Sequence, residues 1–149
     1  MEENKKSVYE QALAFKQKYR TTIAWRLKKN SKIIEKHLNP GEEVLYVFCA
    51  QKNNHPLGIL ETAVVALTSE RILIGRDRVV IGYFMDSITP DLFNDLKVRS
   101  GIIWGKIDID TVKEFVTFSN IAKAALSEIE TKITSFMIKE KKKYGNHME

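Results

Sequence analysis

Between residues 59 and 118 the sequence consists of short apolar segments separated by turn residues. The turns include Thr68-Ser69-Glu70, Arg76-Asp77 and Ser100-Gly101, and a segment with helical periodicity follows near Asn120. Strands about 8–12 residues apart are typical of an antiparallel sandwich or barrel. A single long helix after them favours a barrel that this helix covers.

Seven strands are predicted, the first of them before this region. They span 43–51, 59–67, 71–75, 79–85, 92–99, 102–109 and 112–118. The closing helix carries one apolar stripe, formed by Ala122, Leu126, Ile129, Ile133 and Phe136. The predicted fold class is therefore α+β and mainly β, with an N-terminal helical extension.

The extension, which we call the arm, covers residues 1–38. Its apolar residues recur at steps of three and four, as on one face of a helix: Val8, Ala12, Phe15, Tyr19, Ile23 and Leu27. Ser31 is the expected cap of a second short helix, so the arm should form two helices or one kinked helix. Asn39-Pro40-Gly41 ends helical structure. The predicted boundaries are an arm at 1–38, a domain at 39–138 and a charged tail at 139–149.

Positive charge is concentrated in the arm. Residues 1–38 carry a net charge of +6, residues 39–138 carry −3, and residues 139–149 carry +2. The apolar stripe of the arm should pack on the barrel or on a partner subunit. The predicted interaction residues of the arm are Phe15, Tyr19, Ile23, Trp25, Leu27, Arg20 and Arg26. The alternative is that these cations lie on an anionic membrane, with Trp25 at its interface.

Nothing in the sequence resembles a secretory signal or a membrane-spanning segment, so we expect a cytoplasmic protein that could lie peripherally at a membrane.

Cys49 is the one cysteine, which excludes an intramolecular disulfide. Because it lies inside the apolar segment VLYVFCA, we expect it to be a buried hydrophobe rather than a reactive thiol.

Three segments resemble the bacterial pleckstrin homology (PH) domains, and specifically the YokE-like family. They are LNPGEEVLYVFCA at 38–50, TAVVALTSERILIG at 62–75, and VRSGIIWGKIDIDTVKEFVTFSNI at 98–121. The resemblance covers roughly residues 38–138 and implies seven strands with a C-terminal capping helix. It also implies a module for protein interaction or assembly, since related domains self-associate.

PH domains that bind phosphoinositides carry a basic rim at the open end of the barrel. The positions that this resemblance singles out are Lys52, His55, Arg76 and Arg78, with Asp110 of opposite charge close by. Phosphate recognition favours convergent bidentate donors. So few cations therefore indicate at most a weak anion site.

No pattern indicates an enzyme, a cofactor, a metal site or a small-molecule substrate. His37, His55 and His147 lack partners at metal-ligand spacing. Asp108 and Asp110 alternate along a predicted strand, and we expect both to face solvent. Nucleic acid is disfavoured because no aromatic platform accompanies the cations. The sequence predicts a non-catalytic interaction or assembly module, with a protein partner or a homo-oligomer. The alternative is a peripheral adaptor that binds anionic membrane surfaces through the basic arm and the open-end loops.

Overall fold

The computed structural model describes residues 6–52, 61–77 and 82–147, with side chains through residue 143. Its helices and strands follow one another in a simple order. They are α1 (Val8–Lys18), α2 (Leu27–His37), β1 (Val44–Gln51), β2 (Thr62–Thr68), β3 (Ile72–Asp77), β4 (Tyr83–Ile88), β5 (Phe93–Ser100), β6 (Trp104–Thr111), β7 (Phe115–Ala122), a 3-10 turn (Lys123–Ala125) and α3 (Leu126–His147).

The seven strands form one curled antiparallel sheet, a half-barrel with the strand order β4-β3-β2-β1-β7-β6-β5. Strands β1 and β7 join its two halves, and Gln51 pairs there with Ser119. Strands β1, β3 and β6 end at one end of the sheet, and β5 ends at the other, where the β5–β6 connection lies. The arrangement confirms the predicted antiparallel barrel.

Helix α3 covers the barrel with its apolar stripe. Ile129, Ile133 and Met137 are fully buried in the core, which confirms the predicted orientation of the stripe. The helix begins later than predicted, because β7 continues through Ala122. Asn120, the predicted start, instead has a positive φ of 57° within that strand.

Helix α2 of the arm packs on the outer face of the sheet. Every residue of β2 is buried, which shows that both faces of this strand are covered. The position of α2 is marked by Gly75 on β3, where an added Cβ would lie 2.9 Å from both the Asn30 carbonyl oxygen and Ile34 Cγ1. Glycine therefore allows α2 to lie directly against the strand. Of the two predicted positions for the arm, packing on its own barrel is the one observed.

Helix α1 joins the core through aromatic rings. The Phe15 ring lies 5.0 Å from that of Tyr19, 6.5 Å from that of Tyr46 and 6.3 Å from that of Phe48. Phe48 in turn meets Phe118 of β7 edge-on at 5.7 Å, a favourable geometry for two aromatic rings. The arm and the barrel consequently share one contiguous hydrophobic core.

The predicted ends of several helices and strands are wrong. Helix α2 starts at Leu27, preceded by Arg26 in a left-handed conformation, and Ser31 lies buried inside the helix instead of capping it. The strand predicted at 79–85 is observed at Tyr83–Ile88, and the one predicted at 102–109 at Trp104–Thr111. Apolar periodicity locates an element but does not define its ends, which depend on turn geometry.

Candidate functional site

The predicted anion-binding residues engage the protein's own strand β4 where the structure describes them. Lys52 Nζ lies 2.6 Å from a carboxylate oxygen of Asp86. The Arg76 guanidinium lies over the Phe84 ring at 4.6 Å. His55 and Arg78 lie outside the described residues. The geometry thus brings Lys52 and Arg76 to β4 and does not orient them toward a common ligand.

The predicted interaction residues of the arm differ in how far they are buried and in what they contact. Phe15 and Leu27 are buried in the core of the same chain, and Tyr19 and Ile23 are half-buried. Arg26 forms an ion pair with Asp77 at 2.5 Å. Phe15 and Leu27 therefore stabilise the fold of their own chain.

Two members of that predicted set remain exposed, both in the segment between α1 and α2. They are Arg20, and Trp25 with 59% of its surface exposed. This linker is fixed to the sheet at Thr22, whose hydroxyl accepts a hydrogen bond of 2.9 Å from the Ala122 amide at the end of β7. Arg20 is thereby held beside the start of β6, because Ala122 pairs with Trp104.

Among the residues that the structure describes, the most exposed apolar segment lies at the β5–β6 connection, residues 100–104, which we call the β5–β6 tip. Ile102 is 93% exposed, Ile103 51% and Trp104 40%. The Gly101 amide donates to the Trp104 carbonyl at 2.9 Å, and a Cβ on Gly101 would lie 2.7 Å from that oxygen. Glycine closes a tight turn that projects both isoleucines outward.

Trp104 has a fixed position within the tip. Its indole Nε1 donates a hydrogen bond of 2.6 Å to the Thr21 carbonyl of the linker. The Lys123 amide donates to the Ile103 carbonyl at 3.0 Å, so the turn after β7 supports the tip from the other side. The apolar side chains are consequently held outward on a supported turn.

The segment that contains the tip is basic. Residues 96–107 contain three cations and no carboxylate. Arg99 is partly neutralised by Asp108, with Nε 2.7 Å from a carboxylate oxygen. Arg20 and Lys123, which flank the tip, are exposed and form no ion pair within the described part of the chain. The site therefore combines exposed apolar side chains with a basic border.

The sequence did not reveal this site. Ile102 and Ile103 were predicted to lie inside a strand, because an apolar run next to a turn resembles a buried strand. Both residues lie in the turn itself, and β6 begins at Trp104. The available signal was three consecutive large apolar residues directly after Ser100-Gly101, a position where a turn leaves side chains in solvent.

The acidic pair on β6 also differs from expectation. Asp110 is exposed as predicted, but Asp108 is buried. Asp108 accepts hydrogen bonds of 3.0 Å from Arg99 and 2.8 Å from the Thr117 hydroxyl. Asp108 consequently links three strands, since a buried carboxylate requires such partners.

The structural motifs used for the resemblance meet in a buried ion pair. Arg71 donates to both carboxylate oxygens of Glu42, at 3.0 Å each, and Thr68 donates to Glu42 at 2.5 Å. Burial alone would raise the pKa of Glu42, but the hydrogen bonds from Arg71, the Asn39 amide and Thr68 hold it below its ordinary value. Two motifs that are distant in the sequence therefore form one structural contact.

Cys49 is buried, as predicted. Burial raises the pKa of its thiol to about 12, and the nearby positive charge of Lys16 opposes this only in part. Burial and the raised pKa both disfavour formation of the reactive thiolate in the folded protein. Among the described residues, no group of three His, Cys, Asp or Glu side chains is arranged to hold a metal ion, and no described helix has the length and hydropathy needed to cross a bilayer.

The chain is similar in sequence to one protein family and in structure to a solved domain. A crystal structure of a pleckstrin homology domain from Shewanella amazonensis SB2B is similar over 73% of this chain and 84% of that chain, with 12% identity and a TM-score of 0.44. No curated protein matches the sequence. The family model described as "Bacterial PH domain" matches residues 38–135. Because that match spans about two-thirds of the sequence, the chain belongs to the bacterial PH domain family.

Proposed function

We propose that this chain is a non-catalytic interaction module that binds its partner through the β5–β6 tip. PH-like domains are generally modules for protein or lipid interaction. The observation that carries the proposal is the exposure of Ile102, Ile103 and Trp104 as an uninterrupted apolar run. Such a run on a surface favours aggregation unless a partner covers it, so its presence indicates a function.

The pairing of the buried and half-buried carboxylates supports a non-catalytic role. Glu42 binds Arg71, and Asp108 binds Arg99. Glu128 accepts hydrogen bonds from Lys18 and from the Tyr46 hydroxyl, at 2.8 Å and 2.6 Å. Each of these carboxylates connects two or more elements of the fold, and such pairs serve a structural purpose.

The module could use the tip in two ways: assembly with a protein or a second copy, or attachment to a membrane as a peripheral adaptor. Assembly through the apolar stripe of the arm is disfavoured, because that stripe is buried in its own chain. The adaptor is favoured by the basic border of the tip, because Arg20 and Lys123 are exposed there.

Site-specific photocrosslinking in cells tests the proposal. The intact chain would carry p-benzoylphenylalanine in place of Ile102, and a control would carry it in place of Val112. Val112 is also strongly exposed, at 66%, but it follows the opposite end of β6. Benzophenone reacts with C–H bonds of proteins and of lipids, so it reports a contact of either class.

We expect crosslinked products from position 102 that position 112 does not give. A doubled mass would identify a second copy, a larger adduct would identify another protein, and a small mass increase would identify a lipid. Equal or absent crosslinking at both positions would overturn the proposal that the tip is the contact surface.

A further inference from the structure

The shape of the β5–β6 tip distinguishes among partners. It is a convex turn whose apolar surface comes from Ile102, Ile103 and the exposed part of Trp104. A standard protein interface buries roughly 800 Å² on each partner, far more than three side chains on a protruding turn can supply. Insertion into a fluid apolar medium requires no complementary pocket, so a small protruding apolar tip suits a bilayer.

The charges around the tip have the sign that an anionic surface attracts. Arg20 and Lys123 flank it on the linker and on the turn after β7, and both are exposed. Lys97 and Arg99 lie on β5, which leads into the tip. Basic residues beside an apolar insertion site strengthen binding to anionic lipid, and tryptophan favours the interface between headgroups and acyl chains.

We propose that the β5–β6 tip inserts Ile102 and Ile103 into an anionic lipid bilayer, with Trp104 at the headgroup level and Arg20 and Lys123 against the lipid phosphates. This inference rests on the proposed function and identifies the partner. It places the membrane contact at the opposite end of the sheet from Lys52 and Arg76, which the sequence had indicated as part of a weak anion site.

Vesicle cosedimentation with the intact chain tests the inference. Vesicles of phosphatidylcholine alone would be compared with vesicles of phosphatidylcholine and phosphatidylglycerol. We expect binding to the anionic vesicles, weakened by added salt because exposed charges are screened. Replacing both isoleucines, I102S/I103S, should weaken this binding by roughly tenfold or more, whereas Val112→Ser should leave it unchanged.

The charge variants separate insertion from attraction. Arg20→Gln and Lys123→Gln should each weaken binding to anionic vesicles by about fivefold. All these substituted side chains are exposed, so thermal unfolding midpoints close to that of the wild type will show that the variants are folded. Wild-type binding by I102S/I103S would overturn the inference, since another surface would then carry the contact.

Trp104 reports its own environment once the other tryptophan is replaced. In a Trp25→Phe protein, anionic vesicles should shift Trp104 emission to shorter wavelength, and bromine-labelled acyl chains should quench it. Inorganic phosphate should do neither. Bound protein with unchanged Trp104 emission would overturn insertion through the tip.

Failure of this inference is distinguishable from failure of the proposed function. Crosslinking of position 102 to a protein, without vesicle binding, would overturn the membrane inference and support the interaction module. No vesicle binding together with no specific crosslink at position 102 would overturn both.

Discussion

Glu42 and Arg71 join the end of the arm to the start of the barrel. Besides its two bonds to Glu42, Arg71 donates to the His37 carbonyl at 2.9 Å, which satisfies the last turn of α2. Glu42 is fully buried on its side chain, whereas Arg71 retains partial exposure. Removing one partner of such a pair leaves the other charge uncompensated.

Glu42→Gln should therefore lower the free energy of unfolding by about 2 kcal/mol at neutral pH, less than for a fully buried pair because Arg71 is partly exposed. The pKa of Glu42 is lower in the folded protein than its ordinary value of 4.5. Its ionised form thus contributes stability above about pH 4.5, and this contribution is lost as the pH falls through the folded pKa.

Urea unfolding at a series of pH values measures this effect. The difference between wild type and Glu42→Gln should be constant near neutral pH and should shrink below pH 4.5. Glu43→Gln is the matched control, since Glu43 is exposed. A difference that grows on acidification would contradict the assignment.

Whether the burial or contacts of a single residue could be predicted depended on the kind of signal in the sequence around it. The burial of Cys49 was predictable because an apolar run surrounds it. The motifs containing Glu42 and Arg71 were found, but the contact between them was not, since residues 29 apart in the chain meet only through the fold. The exposure of Ile102 was missed because hydrophobicity alone does not separate a turn from a buried strand.

Helix α1 depends on its docking for stability. It spans 11 residues, and isolated helices of this length are marginal in water. Ser7 and Glu10 form a capping box at its start, which contributes about 1 kcal/mol. Packing of Phe15 against the barrel therefore has to supply most of the stabilisation.

Phe15→Ala should lower the free energy of unfolding by roughly 3 kcal/mol and should increase amide hydrogen exchange in α1 more than in β2. Leu13→Ala on the exposed side of the same helix is the control and should have little effect. Uniform exchange in both elements would show instead that the arm and the barrel unfold together.

Helix α2 approaches β3 so closely that it restricts one position of the strand. At Gly75 a Cβ would lie 2.9 Å from the backbone carbonyl of Asn30, which a side-chain rotation cannot move. Gly75→Ala should destabilise the protein by about 1–3 kcal/mol through displacement of the helix. A thermal melt measures this, and an unchanged or higher midpoint would show that α2 adjusts freely.

The elements themselves were largely predictable, but their partners were not. The stripes of α1 and α3 were read from their spacing, and both are buried. Whether the α1 stripe covered its own barrel or another subunit was left open, because periodicity identifies an apolar face without identifying what packs on it. That information comes from the sheet, where the two-sided burial of β2 requires an outer layer.

At the scale of the whole molecule, the arm acts as a second layer on the sheet. Residues paired across neighbouring strands share a face, and Cys49 pairs with Val64, which pairs with Gly75. Gly75 lies under α2, so Cys49 lies on the face that the arm covers. The influence of Lys16 of α1 on the Cys49 pKa agrees with this placement.

The native thiol therefore reports whether the arm is docked. In the intact chain Cys49 is buried and its high pKa leaves little thiolate, so it should react slowly with a disulfide reagent. Removal of residues 1–38 would expose the outer faces of β1, β2 and β3. We expect a fragment of residues 39–149 to react at least about tenfold faster and to self-associate, because a broad uncovered apolar face is an aggregation site.

Thiol-reaction kinetics and light scattering on both proteins measure these effects. A Cys49→Ser version of the fragment separates association by apolar contact from disulfide formation, and it should still associate. Phe15→Ala in the intact chain should give an intermediate rate, since it loosens α1 without removing it. A monomeric fragment with a protected thiol would show that residues 39–149 form a self-sufficient domain. The arm would then be an accessory layer, and the shared core would not be required for folding.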